Sequence, residues 1–250
     1  MKWMRDFLKI DPWSKQVEIT NALFTHHKVV VRSGNGVGKS WISAALTLTF
    51  LANFWPSKVV VTAPTFKQVK EIIWEEINDM YRSSLMPQFI GGEMLTMSYK
   101  IKDNHYAVGF TTRENRVEDF QGYHSENILV IFEESPGISE IIYQAAQGLM
   151  TTNAYFLQIG NPTSKMGHFW KAFSDDSYHK VHISCFDSPN ITGERNIPAL
   201  VNMRWIEDRK KEWGEDSVLY KSRVEGEFVE ERGETGIPMQ WVLDSFGGDS

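Results

Sequence analysis

Four short apolar runs along the chain are rich in β-branched residues and do not alternate strictly with polar positions. This pattern is typical of strands covered on both faces of a sheet. The runs lie at 28–33, 58–64, 126–134 and 154–162. A further pair, 97–103 and 106–112, alternates better and predicts a hairpin or edge pair joined at Asn104-His105.

Helical spacing of apolar positions appears between these strands, at 40–54, 66–82 and 139–150. Strands that alternate with helices predict an α/β fold with a mainly parallel sheet. After a segment rich in turn formers, an amphipathic helix is predicted at 199–213. We therefore expect a core at 1–186, a small helical lid or linker subdomain at 187–235, and a linker stub at 236–250.

Composition narrows the classes of protein. Of the 250 residues, 42% are hydrophobic, which argues against disorder. The single cysteine, Cys185, excludes an intramolecular disulfide framework. The longest apolar stretch, 41–55, is shorter than the roughly 20 residues that a membrane span needs, so we expect a buried helix and no membrane partner.

Charge is unevenly distributed along the chain, whose formal net charge is −6. Residues 1–40 carry a net +4 and residues 187–250 a net −6. A protein that coats nucleic acid is usually strongly basic. Any contact with DNA is therefore expected to be local, or to come from a ring of subunits.

The stretch VVVRSGNGVGKS at 29–40 predicts a phosphate loop between a strand and a helix. Its glycines allow positive φ, so that backbone N–H groups can face phosphate oxygens, and the following helix adds its positive end. Lys39 would reach the β- and γ-phosphates of ATP, and Ser40 would bind Mg²⁺. The first glycine of the usual spacing is replaced by Ser33. The predicted nucleotide-binding residues are Ser33, Gly34, Asn35, Gly36, Val37, Gly38, Lys39 and Ser40.

A partner carboxylate is supplied by ILVIFEES at 128–135. Glu133 would hold Mg²⁺, and Glu134 would polarise the attacking water. The alternative is a strand that runs into a surface turn with both acids solvated. A glutamate at this place predicts a RecA-like, additional-strand (ASCE) P-loop ATPase. The run 58–66 is expected to be the strand inserted between the two motifs.

Five further residues are candidates by position. Asn161, at the tip of a predicted strand, could sense the γ-phosphate, or it could belong only to a turn. Trp13 could stack on adenine and Gln16 could hydrogen-bond it; the alternative is a packed aromatic and a surface glutamine. Arg113 and Arg116 are candidate arginine fingers toward a neighbouring subunit, unless they are ordinary solvated side chains.

The order of these motifs resembles the large terminase subunit of tailed bacteriophages. The resemblance rests on RSGNGVGKS, TAPTFKQV, FQGYHS and IGNPTSKMGHF, followed by HISCFDSPNITGE and RVEGEF. It implies an N-terminal ATPase domain of a motor that packages double-stranded DNA into a procapsid. It also implies catalytic roles for Arg32 and Glu134, a coupling role for Asn161 or Thr163, and an adenine contact for Gln16.

The same resemblance implies a set of partners. These are double-stranded DNA, the portal protein, the small terminase subunit and other copies of the chain. The copies would form a ring on the capsid, with a monomer as one option in isolation. The expected location is the host cytoplasm, and not the mature virion. The family carries a C-terminal nuclease, of which Gly248-Asp249 would be the first residues, so this chain is expected to lack nuclease activity.

Two other functions stay open. One is a helicase-like translocase that works on duplex DNA outside packaging. The other is a nucleotide-gated assembly module with little turnover. Glu133 keeps this last alternative open, because the family usually has Asp at that position.

Overall fold

The computed structural model describes residues 2–111, 122–150 and 153–230, and an eight-stranded sheet forms its centre. The strand order is β3-β4-β5-β2-β6-β7-β1-β8. From β5 to β8 every neighbouring pair is parallel, whereas β3 and β4 extend one edge with antiparallel pairing. The strands are β1 Lys28–Ser33, β2 Ser57–Ala63, β3 Glu93–Met94, β4 Ser98–Lys102, β5 His105–Thr111, β6 Asn127–Glu133, β7 Ala154–Gly160 and β8 His179–Ile183.

Helices cover the sheet and connect its parallel strands. The α-helices are α1 Ser14–His26, α2 Lys39–Asn53, α3 Trp74–Ser83, α4 Met86–Phe89, α5 Glu140–Gln147, α6 Gly167–Ala172, α7 Pro189–Thr192, α8 Met203–Trp213 and α9 Val218–Tyr220. Short π-helical turns occur at Met4–Leu8, Gln68–Ile73 and Lys221–Glu225, and 3-10 turns at Ser135–Gly137 and Cys185–Asp187. The mainly parallel α/β fold predicted from the hydrophobic pattern is confirmed.

The apolar strands serve two hydrophobic cores. Val29 and Val31 of β1 point into the core that holds α1, α2 and α3, whereas Val30 points into the core that holds α5 and α6. Successive side chains of a strand face opposite sides of the sheet. A strand buried on both sides therefore reads as a continuous apolar run, which explains the absence of alternation in the sequence.

The strand inserted between the two nucleotide motifs is β7, and the expectation that 58–66 fills this place is wrong. β7 pairs in parallel with β1 on one side and with β6 on the other. The run 58–66 contributes β2, which lies on the far side of β6. Both runs are apolar on both faces, so their composition does not distinguish the two places, and order along the chain does not set order in a parallel sheet.

Helix boundaries differ from the pattern in three places. The segment 66–82 divides into the π-helical turn Gln68–Ile73 and helix α3. Helix α8 begins at Met203, because the side chain of Asn202 accepts a hydrogen bond from the backbone N–H of Trp205 at 3.1 Å and caps the helix. Helix α1 is not predicted by the pattern. Across the described ranges, no helix is both long and apolar enough to span a membrane.

The fold brings the predicted chemistry to one edge of the sheet. The carboxyl ends of β1, β6 and β7 lie next to one another at this edge, where open α/β sheets bind their ligands. Two stretches of the C-terminal part, around residues 200–201 and 223–224, contact the loop after β1. Together they surround the loop that precedes α2.

Candidate active site

The loop between β1 and α2 has the geometry of an anion-binding turn. Gly36 and Gly38 have φ angles of 64° and 81°, a region that glycine enters without steric cost. Helix α2 begins directly after them at Lys39. The first backbone N–H groups of a helix have no acceptor within the helix, so they can donate to a bound phosphate.

The phosphate loop has its first glycine at position 34, one residue later than the usual motif, and the structure shows why. A Cβ atom at Gly34 would lie 2.6 Å from Cys185 Sγ and 2.8 Å from the carbonyl oxygen of Val224. Ser33 is instead the last residue of β1, where no positive φ is needed, and its hydroxyl donates to the Gly34 carbonyl at 3.2 Å. The loop therefore needs glycine at position 34 for close approach, whereas position 33 tolerates a side chain.

The C-terminal part holds the loop from outside. The backbone N–H of Asn35 donates to the carbonyl of Arg223 at 2.7 Å, and the Cys185 thiol donates to the carbonyl of Asn35 at 3.2 Å. Val201 donates its backbone N–H to the carbonyl of Gly36 at 2.9 Å. Val37 is buried in the core. These contacts fix the loop conformation without using the amides at the start of α2.

Lys39 is the centre of a polar cluster. Its Nζ atom donates to the carbonyl of Gly34 at 3.2 Å and to Asn161 Oδ1 at 3.4 Å, and it lies 3.7 Å from Glu134 Oε1. Its side chain is only 10% exposed. The structure thus brings together residues from the phosphate loop, β6 and β7, as the sequence predicts.

Glu133 is a buried carboxyl group at the end of β6. Burial raises its pKa to about 7, and the neighbouring hydroxyls of Ser43 and Ser40 lower the pKa to a smaller extent. Glu133 Oε1 and Ser43 Oγ are both buried without a hydrogen-bond partner. A buried carboxylate oxygen without a donor is costly in an apolar setting. A cation beside Ser40 would satisfy it.

These residues fit Mg²⁺. Mg²⁺ is usually held by one or two carboxylates together with phosphate oxygens and waters. Ser40 and Glu133 would supply the protein ligands. In the part of the chain that the structure describes, no group of three His, Cys, Asp or Glu side chains could hold a metal ion.

Glu134 follows β6 in a left-handed backbone conformation, with φ 46° and ψ 46°. This conformation is costly for a residue with a side chain and is found often at functional sites. Gly160 on β7 permits the turn, because a Cβ there would lie 2.6 Å from Pro136 Cδ. The Glu134 side chain is 35% exposed and faces Lys39. It is accessible to a water molecule, unlike Glu133.

Asn161 links two strand ends and is more than a turn residue. Its Nδ2 donates to the carbonyl of Ser33 at 2.6 Å, and its Oδ1 accepts from Lys39. It is 8% exposed. Thr163 contributes its backbone N–H to the carbonyl of Asn161 at 2.9 Å. Of the two coupling candidates, Asn161 is thus the one whose side chain contacts the phosphate-loop lysine.

Arg32 points toward the C-terminal part. Its guanidinium donates to the carbonyl of Gly226 at 3.1 Å and forms an ion pair with Glu227. It also lies 5.8 Å from the ring centre of Phe173 and 6.0 Å from that of Phe228. In this structure, Arg32 therefore binds residues 226–228 and not the cluster around Lys39. Its catalytic role stays a prediction.

A cleft of about 600 Å³ opens beside the loop. Its phosphate end is formed by the loop, Lys39, Ser40 and Glu134. One wall comes from helices α2 and α3 and the turn before α3, and the other from the C-terminal part. The wall residues are Trp41, Ile72 and Glu76 on one side, and Arg195, Ile197, Ala199 and Leu200 on the other. The sequence gives no motif for these residues, since they lie in a turn-rich segment and on ordinary helical positions.

The two residues predicted to bind adenine both line the cleft. Trp13 is 0% exposed and packs in the core. Gln16 donates to the carbonyl of Gly38 at 3.2 Å and accepts from the backbone N–H of Trp13 at 3.2 Å. Both ends of its amide are therefore engaged within the protein. Gln16 braces the phosphate loop against helix α1.

Several predictions lie outside the described residues. These are the arginine-finger candidates Arg113 and Arg116, the first two residues of FQGYHS, and the segment 236–250 with Gly248-Asp249.

The sequence of this chain is similar to that of a phage large terminase subunit. The chain is 24% identical over 236 residues to a probable large terminase subunit of Enterobacteria phage P7. The match covers 89% of this chain and 46% of that relative, so the chain spans about half of the relative's length. No protein-family model matches.

Solved structures of phage large terminases have a similar fold. The ATPase domain of the large terminase of Thermus phage P74-26 superimposes with a TM-score of 0.68 at 17% identity, and the match covers 91% of this chain and 98% of that one. The large terminase of the thermophilic bacteriophage D6E, solved in complex with ADP, gives 0.66 at 12% identity over 86% of this chain and 53% of that one. The HK97 large terminase gives 0.63 at 12% identity over 88% and 51%.

The fold is therefore the RecA-like α/β fold of a P-loop ATPase domain. More particularly, it is the fold of the ATPase domains of phage large terminases, and the resemblance recognised in the sequence is confirmed.

Proposed function

We propose that this chain is the ATP-hydrolysing motor domain of a viral large terminase, which drives double-stranded DNA into a procapsid. One observation carries the proposal. Lys39, Glu134 and Asn161 converge at the carboxyl edge of the sheet, beside a buried Glu133 whose Oε1 has no partner. This is the set of groups that phosphoryl transfer to water requires.

The catalytic steps follow from these positions. Lys39 exchanges its contacts with Gly34 and Glu134 for phosphate oxygens of ATP, where a positive charge stabilises the charge that develops on the transferred group. Release of Glu134 from Lys39 leaves its carboxylate free to accept a proton from the attacking water. Asn161 then faces both Lys39 and β1, where it can report the loss of the γ-phosphate.

Ser40 and Glu133 would hold Mg²⁺. The metal, when bound, supplies positive charge that neutralises the phosphate oxygens. Glu133 must lose its proton to bind the metal, and its raised pKa makes this step sensitive to pH. The D6E large terminase, a structural neighbour, binds ADP, which supports nucleotide binding in the corresponding cleft.

The partners and location follow from the proposed motor. They are double-stranded DNA, the portal protein, the small terminase subunit and further copies of the chain in a ring, in the host cytoplasm. Since the chain carries a net charge of −6, we propose that a ring creates the basic channel by bringing together the local positive charges of several copies. Arg113 or Arg116 of a neighbouring copy is proposed as the arginine finger, with Arg32 as the residue that acts within the same chain.

Steady-state ATP hydrolysis with and without linear duplex DNA tests the proposal. We expect Mg²⁺-dependent turnover that duplex DNA increases and that Lys39→Ala abolishes. Lys171→Ala serves as the matched control, because Lys171 is 70% exposed and pairs with Glu140, away from the cleft. Tight ATP binding without turnover in any condition would favour the nucleotide-gated assembly module. Turnover that duplex DNA stimulates equally in the absence and presence of portal-bearing procapsids would favour the helicase-like translocase.

A further inference from the structure

Two parts of the chain that are distant in sequence meet beside the cleft, where Asp11 and Arg195 both line it. Residues 11–14 precede helix α1, and residues 194–195 belong to the C-terminal part. The Glu194 carboxylate accepts a hydrogen bond from the backbone N–H of Ser14 at 3.0 Å. Arg195 forms an ion pair with Asp11 Oδ2 at 2.8 Å. These contacts join the two parts of the chain beside the cleft.

Arg195 is held there in one orientation. Its Nη1 donates to the Asp11 carbonyl at 2.7 Å and its Nη2 to the Pro12 carbonyl at 3.3 Å, in addition to the Asp11 carboxylate. All N–H groups of a guanidinium lie in its plane, so these bonds fix the plane and leave its two faces unused. Arg195 lines the cleft. A planar cation that lines a cleft in a fixed orientation can stack on an aromatic ring bound there.

A second arginine, Arg5, orients the Asp11 carboxylate toward Arg195. Arg5 Nε donates to Asp11 Oδ1 at 2.5 Å, which leaves Oδ2 for Arg195. The hydrogen bond from Arg5 is the main cause that keeps the pKa of Asp11 below its usual value, with a smaller contribution from the charge of Arg195. The carboxylate therefore stays ionised when it orients Arg195.

The residues expected to recognise the base do not offer such a surface. Trp13 exposes none of its ring, and both ends of the Gln16 amide are engaged. Arg195 and the apolar side chains of Ile197 and Leu200 also line the cleft. These three side chains can pack against the faces of a base, but they offer no set of hydrogen-bond acceptors and donors that would distinguish one base from another.

We propose that Arg195 is the residue that holds the nucleotide base, by stacking of its guanidinium on the ring, and that Asp11 is its positioning residue. The inference rests on the proposed ATPase function and specifies its substrate as a nucleotide bound through the base face. Since stacking does not read the base edge, ATP and GTP bind with affinities within a few-fold of each other.

The proposed stacking of Arg195 on the base is tested by comparing the binding of a ligand that has a base with that of a ligand that lacks one. Dissociation constants for ATP and for inorganic tripolyphosphate, both with Mg²⁺, are measured by titration calorimetry. Arg195→Ala weakens ATP binding about tenfold and leaves tripolyphosphate unchanged, because Arg195 contacts the base and not the phosphates. Arg195→Lys keeps the charge but not the plane, and it does not restore ATP binding. Arg204→Ala, an exposed arginine on α8, is the matched control and changes neither ligand.

The positioning role and a purely structural role of this contact give different results. Asp11→Asn weakens ATP binding less than Arg195→Ala does, and adding it to Arg195→Ala has no further effect. Ser14→Pro removes the N–H group that donates to Glu194, at the first position of α1, where proline is tolerated. It leaves Arg195 on Asp11, so ATP binding stays within about twofold of wild type. Equal weakening by Ser14→Pro and Arg195→Ala would show that these contacts only join the two parts of the chain, and would overturn the proposal.

The same two ligands test the phosphate site and the base contact separately. Lys39→Ala weakens binding of both ATP and tripolyphosphate if the phosphate site is as described. If wild type binds both ligands and Arg195→Ala changes neither, the base contact is wrong and the ATPase proposal stands. If Arg195→Ala or Arg195→Lys weakens tripolyphosphate as much as ATP, Arg195 acts on phosphates and the stacking role is wrong. If wild type binds neither ligand, the proposed function itself fails.

Discussion

Lys39 Nζ lies 3.4 Å from Asn161 Oδ1, so the phosphate-loop lysine and the tip of β7 are in direct contact. The other end of the same amide donates to the carbonyl of Ser33 at 2.6 Å. Asn161 thereby joins the end of β1 to the residue that would bind phosphate. When Lys39 binds a phosphate, its hydrogen bond to Asn161 must change, and Asn161 directly follows β7.

We expect Asn161→Ala to lower both stability and turnover. The Ser33 carbonyl would lose its buried donor, which costs about 1–3 kcal/mol of the free energy of unfolding. ATP hydrolysis should fall by about tenfold or more, while ATP still binds through the loop amides. Thr163→Ala is the control, because Thr163 contacts Asn161 through its backbone N–H, which alanine retains. A larger loss of turnover in Thr163→Ala would assign the coupling role to Thr163.

Glu133 gives stability a specific pH dependence. Its pKa is 4.5 in an unfolded chain and about 7 in the folded protein, because burial disfavours the charged form. Between these values the folded state binds more protons than the unfolded state, so the contribution of Glu133 to the free energy of unfolding falls as pH rises from about 4.5 to 7. Above that window it changes no further.

Glu133→Gln should remove this dependence. In denaturant unfolding without Mg²⁺ or nucleotide, we expect the variant to gain stability relative to wild type between pH 5 and pH 8. Glu140→Gln, which changes an exposed carboxylate on α5, should show a constant difference from wild type over the same range. A constant difference for Glu133→Gln as well would mean that Glu133 is not buried in its protonated form.

Glu134 combines a strained backbone with the proposed catalytic carboxylate, and two substitutions separate these features. Glu134→Gln keeps the left-handed strain and removes the base, so hydrolysis should fall by about a hundredfold or more with little change in stability. Glu134→Gly also removes the base but accepts φ 46° without strain, so it should be about 1 kcal/mol more stable than Glu134→Gln. Thermal unfolding and turnover of both variants check this, and residual turnover near wild type in either would exclude Glu134 as the base.

Positions 33 and 34 of the phosphate loop should respond differently to substitution. Gly34→Ala would place a Cβ against Cys185 Sγ and the Val224 carbonyl, so we expect a loss of about 1–3 kcal/mol and weaker nucleotide binding. Ser33→Gly, which restores the more usual motif, should cost only about 1 kcal/mol, since glycine is unfavourable within a strand. Denaturant unfolding of both variants provides the comparison. Equal losses would show that the close approach at Gly34 is not what the loop requires.

Arg32 can act on a phosphate only if it leaves Glu227. Glu227→Gln removes the charge that holds it, so we expect faster ATP hydrolysis in this variant and slower hydrolysis in Arg32→Ala. Glu230→Gln is the control, because Glu230 pairs with Lys165 at the surface. Unchanged turnover in Arg32→Ala, together with lower stability, would limit Arg32 to holding residues 226–228.

The parts of the fold that follow from burial could be predicted from the sequence. Strands such as β6 are continuous apolar runs, and the motif of the phosphate loop fixes the end of β1 and the start of α2. Strand order could not be predicted, because β2 and β7 are equally apolar. The lining of the cleft was also beyond prediction: whether Trp13 is exposed, or whether Arg195 meets Asp11, depends on packing between residues far apart in the chain.

Single-turnover hydrolysis by wild type and Glu134→Gln, with ATP binding measured on the same samples, decides whether Glu134 is the base. We expect both proteins to bind Mg²⁺-ATP with similar affinity, and Glu134→Gln to convert it to ADP and phosphate at least about a hundredfold more slowly than wild type. Equal rates in the two proteins would contradict the assignment of Glu134 as the base that activates water.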